Sequence, residues 1–160
     1  MISSNEGTTM TSQRELTPLE CHERLQSQSG GVGRLAVCTP LGPTIYPVNF
    51  SVDAHAIVFR TSAFSELSTF VRNADAAFEI DQIDWSARRG WSVVVKGRAE
   101  IVEDPDEIDR LREVGHEPRP WAKGLRRTYV RIPWREITGR VVGEEWLGSA
   151  PPAANTWFGS

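Results

Sequence analysis

Hydrophobic and polar positions alternate most regularly between Gly90 and Glu100. Trp91, Val93, Val95, Gly97 and Ala99 fall on one face, and Ser92, Val94, Lys96, Arg98 and Glu100 on the other. Period two over this length predicts a strand with one buried side. Gly97 has no side chain to pack, so its place in the run points to a sharp bend or a close backbone approach, as at a barrel corner. The stretch therefore predicts a small curved sheet that closes on itself.

Shorter runs of the same kind predict the other strands: Gly33 to Cys38, Thr44 to Phe50, Ala56 to Arg60, Ala76 to Asp81, and a closing pair, Thr128 to Trp134 and Glu136 to Val142. Pro40-Leu41-Gly42-Pro43 is turn chemistry, so the first two strands read as an antiparallel hairpin or meander, and Val52-Asp53-Ala54-His55 is a second tight connection that leads to the third. Three short helices interrupt them. Thr17-Pro18-Leu19-Glu20 is a capping box with proline at the first helical position, opening a helix to about Gln28 whose apolar stripe is Leu19 and Leu25. After Thr61 the period lengthens, with Phe64, Leu67 and Val71 on one side and Ser62 as N-cap. Asp104-Pro105-Asp106-Glu107 opens the third helix, with Ile108, Leu111 and Val114 inward, and a proline-rich loop follows from Gly115 to Gly124. About seven short strands with few helices predict a mainly β, antiparallel barrel.

Composition narrows the class. With 160 residues the chain suits one self-sufficient core. A formal net charge of -3 argues against a general affinity for nucleic acid or anionic membrane. No apolar run approaches the roughly 20 residues that span a bilayer, and Met1 to Arg14 lacks the order of a signal peptide, so the expected address is the cytoplasm. Residues 1–16 read as a disordered leader, 17–147 as the folded domain and 148–160 as a flexible tail, in which Trp157 and Phe158 are candidates to dock on a partner subunit. Cys21 and Cys38 read as buried free thiols. His22, His55 and His116 have no ligand spacing, so no metal site is expected.

Two stretches carry candidate chemistry. At Phe59-Arg60-Thr61-Ser62-Ala63-Phe64-Ser65 an arginine and several hydroxyls meet a helix start, which suits a phosphate; the plain alternative is a capping serine and a solvated arginine. At Tyr46-Pro47-Val48-Asn49-Phe50 the proline removes a ladder donor, which favours an edge or a place where a ligand meets the backbone. Trp91 and Trp121 are the two tryptophans expected near a ligand.

Six blocks in order carry a resemblance: Val32-Gly33-Arg34-Leu35-Ala36, Pro47-Val48-Asn49-Phe50, Ile57-Val58-Phe59-Arg60-Thr61, Ala77-Phe78-Glu79-Ile80-Asp81, Gly90-Trp91-Ser92-Val93 and Gly97-Arg98-Ala99. Over about Pro18 to Val142 the chain resembles the pyridoxamine 5′-phosphate oxidase-like family of flavin-binding split barrels. The resemblance implies a six- to seven-stranded antiparallel split β-barrel, homodimeric, with FMN in clefts at the subunit interface. Carried over by position, Arg60, Thr61 and Ser65 would hold the phosphate, Pro47, Val48, Asn49 and Phe59 would line the ring largely through backbone groups, and Asp81, Trp91, Ser92 and Val93 would close the other side, with Leu67 also at the cofactor. Relatives often carry glycine and lysine before that leucine, whereas this chain has Ser65-Glu66, placing an anion where a phosphate-binding cation is usual.

The function implied is an FMN-dependent oxidoreductase acting on an unidentified small molecule, with the flavin supplying the redox chemistry. The alternatives are a non-catalytic dimer that stores or senses flavin or haem, and a deazaflavin-dependent reductase. The deazaflavin's anionic tail calls for more basic residues than these stretches hold.

Overall fold

The computed structural model describes residues 13–113 and 117–143. In chain order the elements are β1 (Gln13–Glu15), α1 (Pro18–Ser27), β2 (Val32–Thr39), β3 (Gly42–Asp53), β4 (Ala56–Thr61), α2 (Glu66–Phe70), β5 (Asp75–Asp84), β6 (Arg89–Arg98), β7 (Glu100–Val102), α3 (Pro105–Glu113) and β8 (Thr128–Val142). The sheet runs β8-β4-β3-β2-β5-β6, and β6 pairs back onto β8, so six antiparallel strands form a ring. β7 and β1 attach to the first and last parts of β8.

Alternation decides what fills the ring. Leu35 and Val37, Phe50 and Val52, Ile57 and Phe59, Phe78 and Ile80, Val93 and Val95, and Val130 and Ile132 all point inward and are essentially inaccessible. Each such side chain contributes about 1.5–3 kcal/mol relative to exposure. The expected bend at Gly97 is where the ladder to β8 slips: Lys96 faces Glu136 but Gly97 faces Trp134, skipping Arg135. A Cβ on Gly97 would stand 2.2 Å from the carbonyl oxygen of Pro133, so the two backbones touch there.

That irregularity corrects the expected closing pair. Thr128 to Val142 is one strand, bulged at Arg135, which leans on β4 through residues 128–133 and on β6 through 134–142. Pro133 and the charged Arg135-Glu136 look like a break in the sequence, but the skipped residue lets the chain bend without turning back. The leader is corrected at its end: Gln13–Glu15 pairs with β8 and Leu16 is buried. The rest of that leader, Val114, His116 and everything after Gly143 lie outside the described residues.

The helices seal the ring. α1 has the expected capping box, with the Glu20 N–H donating to Thr17 Oγ1 at 3.3 Å and the Thr17 N–H to Glu20 at 2.7 Å. Its buried stripe is Cys21 and Leu25 rather than Leu19, which is 66% exposed. Helix and sheet close together because Gly139 leaves room, a Cβ there falling 2.8 Å from Cys21 Sγ. α3 lays Leu111 and Ile108 over a second cluster of Val58, Val102 and Tyr129 on the outer side of β4, β7 and β8. Cys38, expected buried, points outward from β2 and is exposed. Among the described residues no helix is long and apolar enough to cross a membrane.

Candidate functional site

The junction after β4 is built differently from the simplest sequence reading. α2 is capped by Ser65, whose Oγ accepts the Ser68 N–H at 3.1 Å, and not by Ser62. Phe64 is fully exposed instead of joining the Leu67 and Val71 stripe. The physical reason is a tight turn, with Ser65 N–H and Oγ both donating to the Ser62 carbonyl, which delays the helix by one turn. Thr61, buried at the end of β4, shares a hydrogen bond of 2.8 Å with Ser65 Oγ. The two hydroxyls expected at a phosphate are therefore adjacent.

Arg60, next to Thr61 along the strand, points to the outer side of β4, whereas the Thr61 side chain is buried. Its Nε donates to the Arg126 carbonyl at 2.9 Å, its Nη1 sits 3.1 Å from Glu117 Oε1, and its guanidinium lies over the Tyr129 ring at 5.2 Å. Glu117 also accepts the Tyr129 hydroxyl. Burial raises the Tyr129 pKa, and that hydrogen bond raises it further. The segment that supplies Glu117 and Arg126 also reaches the second candidate stretch, because the Trp121 N–H donates to Asn49 Oδ1 at 3.0 Å while Asn49 Nδ2 donates to the Gly31 carbonyl. Trp121 itself is 76% exposed.

Asn49 lies where the ring is split. β3 pairs with β2 along Gly42–Asn49, but its ladder to β4 covers only Phe50–Asp53, so the other flank of Pro47, Val48 and Asn49 has no strand partner. Extending the registers sideways puts Arg60, Asn49, Val32, Asp81, Ser92 and Arg140 on one outward row. Asn49 faces Arg60 one residue beyond the Phe50–Phe59 rung, Val32 faces Asn49, Asp81 follows Val32 two residues beyond the Arg34–Glu79 rung, and Ser92 faces both Asp81 and Arg140. Arg34 ties the row down with contacts of 2.7 Å to Glu79 and 3.2 Å to Asp81. Glu79 is pushed up by burial and then by Asp81, against the pull of Arg34.

Two groups of expected site residues thus form, Arg60, Thr61, Ser65 and Asn49 on one flank and Asp81 and Ser92 on the other. Four strand spacings of ~4.8 Å separate Arg60 from Ser92, about 19 Å around the wall. Phe59, Leu67 and Val93 send their side chains into the core, Val48 packs against it and Trp91 is 5% exposed, so outside the barrel Phe59, Leu67 and Val93 present backbone alone. Pro47 is exposed on the outer wall.

Sequence reasoning did not foresee Glu117 or Tyr129. Glu117 sits in a loop without periodicity, and Tyr129 alternates like any strand residue. Glu66, the departure noted above, is exposed at the first turn of α2. The buried Tyr46 hydroxyl makes no hydrogen bond of full geometry, and its pKa is raised by burial, then by the Glu66 charge and by the contact of the hydroxyl with that carboxylate. Glu66 therefore acts on Tyr46 of β3, whereas the carboxylate that meets Arg60 is that of Glu117. Among the described residues no three His, Cys, Asp or Glu side chains gather as for a metal. His22 and His55 stack at 5.6 Å against Trp134 instead.

A six-stranded ring split beside β3, with polar side chains in a row across its outer wall, defines a split-barrel protein. Comparison with known proteins agrees: the family described as pyridoxamine 5′-phosphate oxidase matches residues 17–141, and the chain belongs to it. The uncharacterised protein Rv0080 of Mycobacterium tuberculosis is 35% identical over 140 residues, 83% of this chain and 90% of that one. A Corynebacterium glutamicum crystal structure is 39% identical with a TM-score of 0.69, covering 86% of this chain and 96% of its own. A structure described as the FAD binding protein of Mycobacterium smegmatis is 28% identical with a TM-score of 0.62, covering 81% and 98%.

Proposed function

We propose that this chain is a flavin-dependent oxidoreductase that holds FMN between two copies of itself and transfers hydride or electrons to a small molecule. The observation that carries the reading is the open flank of β3 at Pro47–Asn49 beside Arg60 and the Thr61–Ser65 hydroxyl pair. Unpaired backbone for a ring's polar edge and a cation for a phosphate stand next to each other there. The M. smegmatis neighbour, described as FAD binding, supports a flavin without favouring FMN.

The residues fit a phosphorylated flavin on one condition. Arg60 is 21% exposed and already engaged through Nε and Nη1, which leaves Nη2 for a phosphate, and Glu117 has to share it. Bound flavin supplies the redox step itself. Arg60 neutralises the phosphate, Asn49 and the β3 backbone orient the ring, and Asp81 with Trp91 and Ser92 belong to the opposite wall. The distance of about 19 Å between the two groups is bridged most simply by a second copy, whose Asp81 and Ser92 would face the Arg60 side of the first. Val32 at 42% and Ile45 at 64% exposure, with Pro47, leave an apolar strip between the groups for that copy to cover.

Absorbance titration of the purified protein with FMN and with FAD, beside sedimentation of the same samples, tests the proposal. A flavin spectrum that saturates at one per chain in a dimer, bleached by NAD(P)H and restored by an acceptor, is expected. Saturation without turnover makes the protein a flavin carrier, and no uptake of either flavin refutes the reading.

A further inference from the structure

The turn between β5 and β6 overhangs a cleft of about 400 Å³ in the outer wall, within the ~300–1,000 Å³ of small-molecule sites. Its walls include Ile83, Trp85, Arg88, Ser92, Arg140 and Val142. Trp85 is 81% exposed, and Ile83 and Val142 are both more than two-fifths exposed, so the apolar side is open to solvent.

The charge is one-sided. Asp81 is taken by Arg34 at 3.2 Å. Asp84 is held by Arg89 at 3.4 Å, by the Ser86 hydroxyl at 2.6 Å and by the Ala87 N–H at 3.0 Å. Arg88 and Arg140 form no ion pair among the described residues, although Glu15 stands opposite Arg140 across the β1–β8 rung, on a chain whose net charge is -3. Arg88 also occupies the left-handed region at φ 50°, where glycine or asparagine would sit with less strain.

We propose that this cleft binds a planar aromatic anion, with the ring against Trp85 and Val142 and the anionic group between Arg88 and Arg140. Ser92 adds a hydroxyl donor on the same wall. The cleft includes Asp81, Trp91 and Ser92, which the proposed function sets on the wall facing flavin, so on that reading its occupant is the organic substrate. The binding itself does not depend on flavin.

Isothermal titration calorimetry of the full chain with 2-naphthoate and with the neutral 2-naphthylmethanol tests it. Naphthoate is expected to bind saturably and at least roughly tenfold more tightly than the alcohol, the effect of a charge-assisted hydrogen bond. Arg88→Gln and Arg140→Gln should each weaken naphthoate by roughly tenfold and leave the alcohol unchanged. Trp85→Ala should weaken both. Equal binding of the two probes, indifference to both arginine substitutions, or no saturable naphthoate binding overturns the proposal. FMN titration of the same variants separates the two readings. Unchanged FMN affinity with lost naphthoate supports a separate site, while parallel loss of both makes the cleft part of the flavin site and overturns the inference. Arginine-dependent naphthoate binding by a wild-type protein that takes no flavin leaves the cleft standing and removes the flavin reading.

Discussion

Glu117 Oε1 lies 3.1 Å from Arg60 Nη1, so the arginine best placed to meet a phosphate already faces a carboxylate of its own chain. Both side chains are partly exposed, at 21% and 31%, which limits the pair to about 0–1 kcal/mol. A phosphate that gains a charge-assisted hydrogen bond of about 1.5–3 kcal/mol outcompetes it. Arg60→Ala should therefore weaken FMN by roughly ten- to a hundredfold and leave riboflavin, which lacks the phosphate, unaffected. Glu117→Gln should strengthen FMN by up to about fivefold. Equal effects on FMN and riboflavin in absorbance titrations would show that Arg60 does not contact the phosphate.

Gly97 makes a second test. Its missing Cβ lets β6 and β8 meet, and the atom it would strike is the Pro133 carbonyl oxygen, a backbone group with no rotamer to yield. Gly97→Ala should destabilise the fold by about 1–3 kcal/mol or more, read from urea denaturation. A variant of wild-type stability would mean that the bulge at Arg135 is free to slide.

The difference between Gly97 and Glu117 shows what could be read from the chain and what could not. Periodicity locates residues whose role is set by the strand they sit on: the inward rows, the capping box at Thr17, and the glycine where two strands touch were all legible. Pro133 and Arg135 misled because a bulge and a break have the same local signature, and only the facing strand distinguishes them. Ser62 and Ser65 are both good caps, and the hydrogen bond from Ser65 to the Ser62 carbonyl decides between them. Glu117 was invisible because its meaning lies in a partner 57 residues away. The outward row from Arg60 to Arg140 likewise exists only once five registers are known.

Acid should weaken the start of α1. Glu20 is held down to about 2 by hydrogen bonds from Arg14 and then by the Thr17 N–H, against an ordinary 4.5. A carboxyl lowered on folding stabilises the native state fully above its unfolded value and loses that contribution as pH falls toward the folded one. The Glu20 contribution should thus be complete above about pH 4.5 and gone near pH 2. Carboxyl chemical shifts followed by NMR from pH 6 to 2 check the titration. Thr17→Ala, which removes the cap oxygen, should cost about 0.5–2 kcal/mol at neutral pH. A Glu20 midpoint near 4.5 would show that the capping box and the Arg14 contact do not form in solution.

Tyr46 offers the opposite sign. Its hydroxyl is buried with no hydrogen bond of full geometry, beside the Glu66 carboxylate whose charge and contact both raise its pKa, whereas its ring packs on the core. An unsatisfied buried hydroxyl costs about 1–3 kcal/mol, and phenylalanine keeps the ring while deleting the oxygen. Tyr46→Phe should therefore leave stability unchanged or raise it by about 1 kcal/mol, in contrast to the loss that follows most core substitutions. Glu66→Gln should lower the Tyr46 pKa toward its ordinary value of 10, because it removes the charge that disfavours the phenolate. A spectrophotometric titration of the tyrosines, with Tyr46→Phe as the reference, reads that shift. A clear loss of stability in Tyr46→Phe would mean that the hydroxyl has a bound partner, and the nearest candidate acceptor is the Glu66 carboxylate.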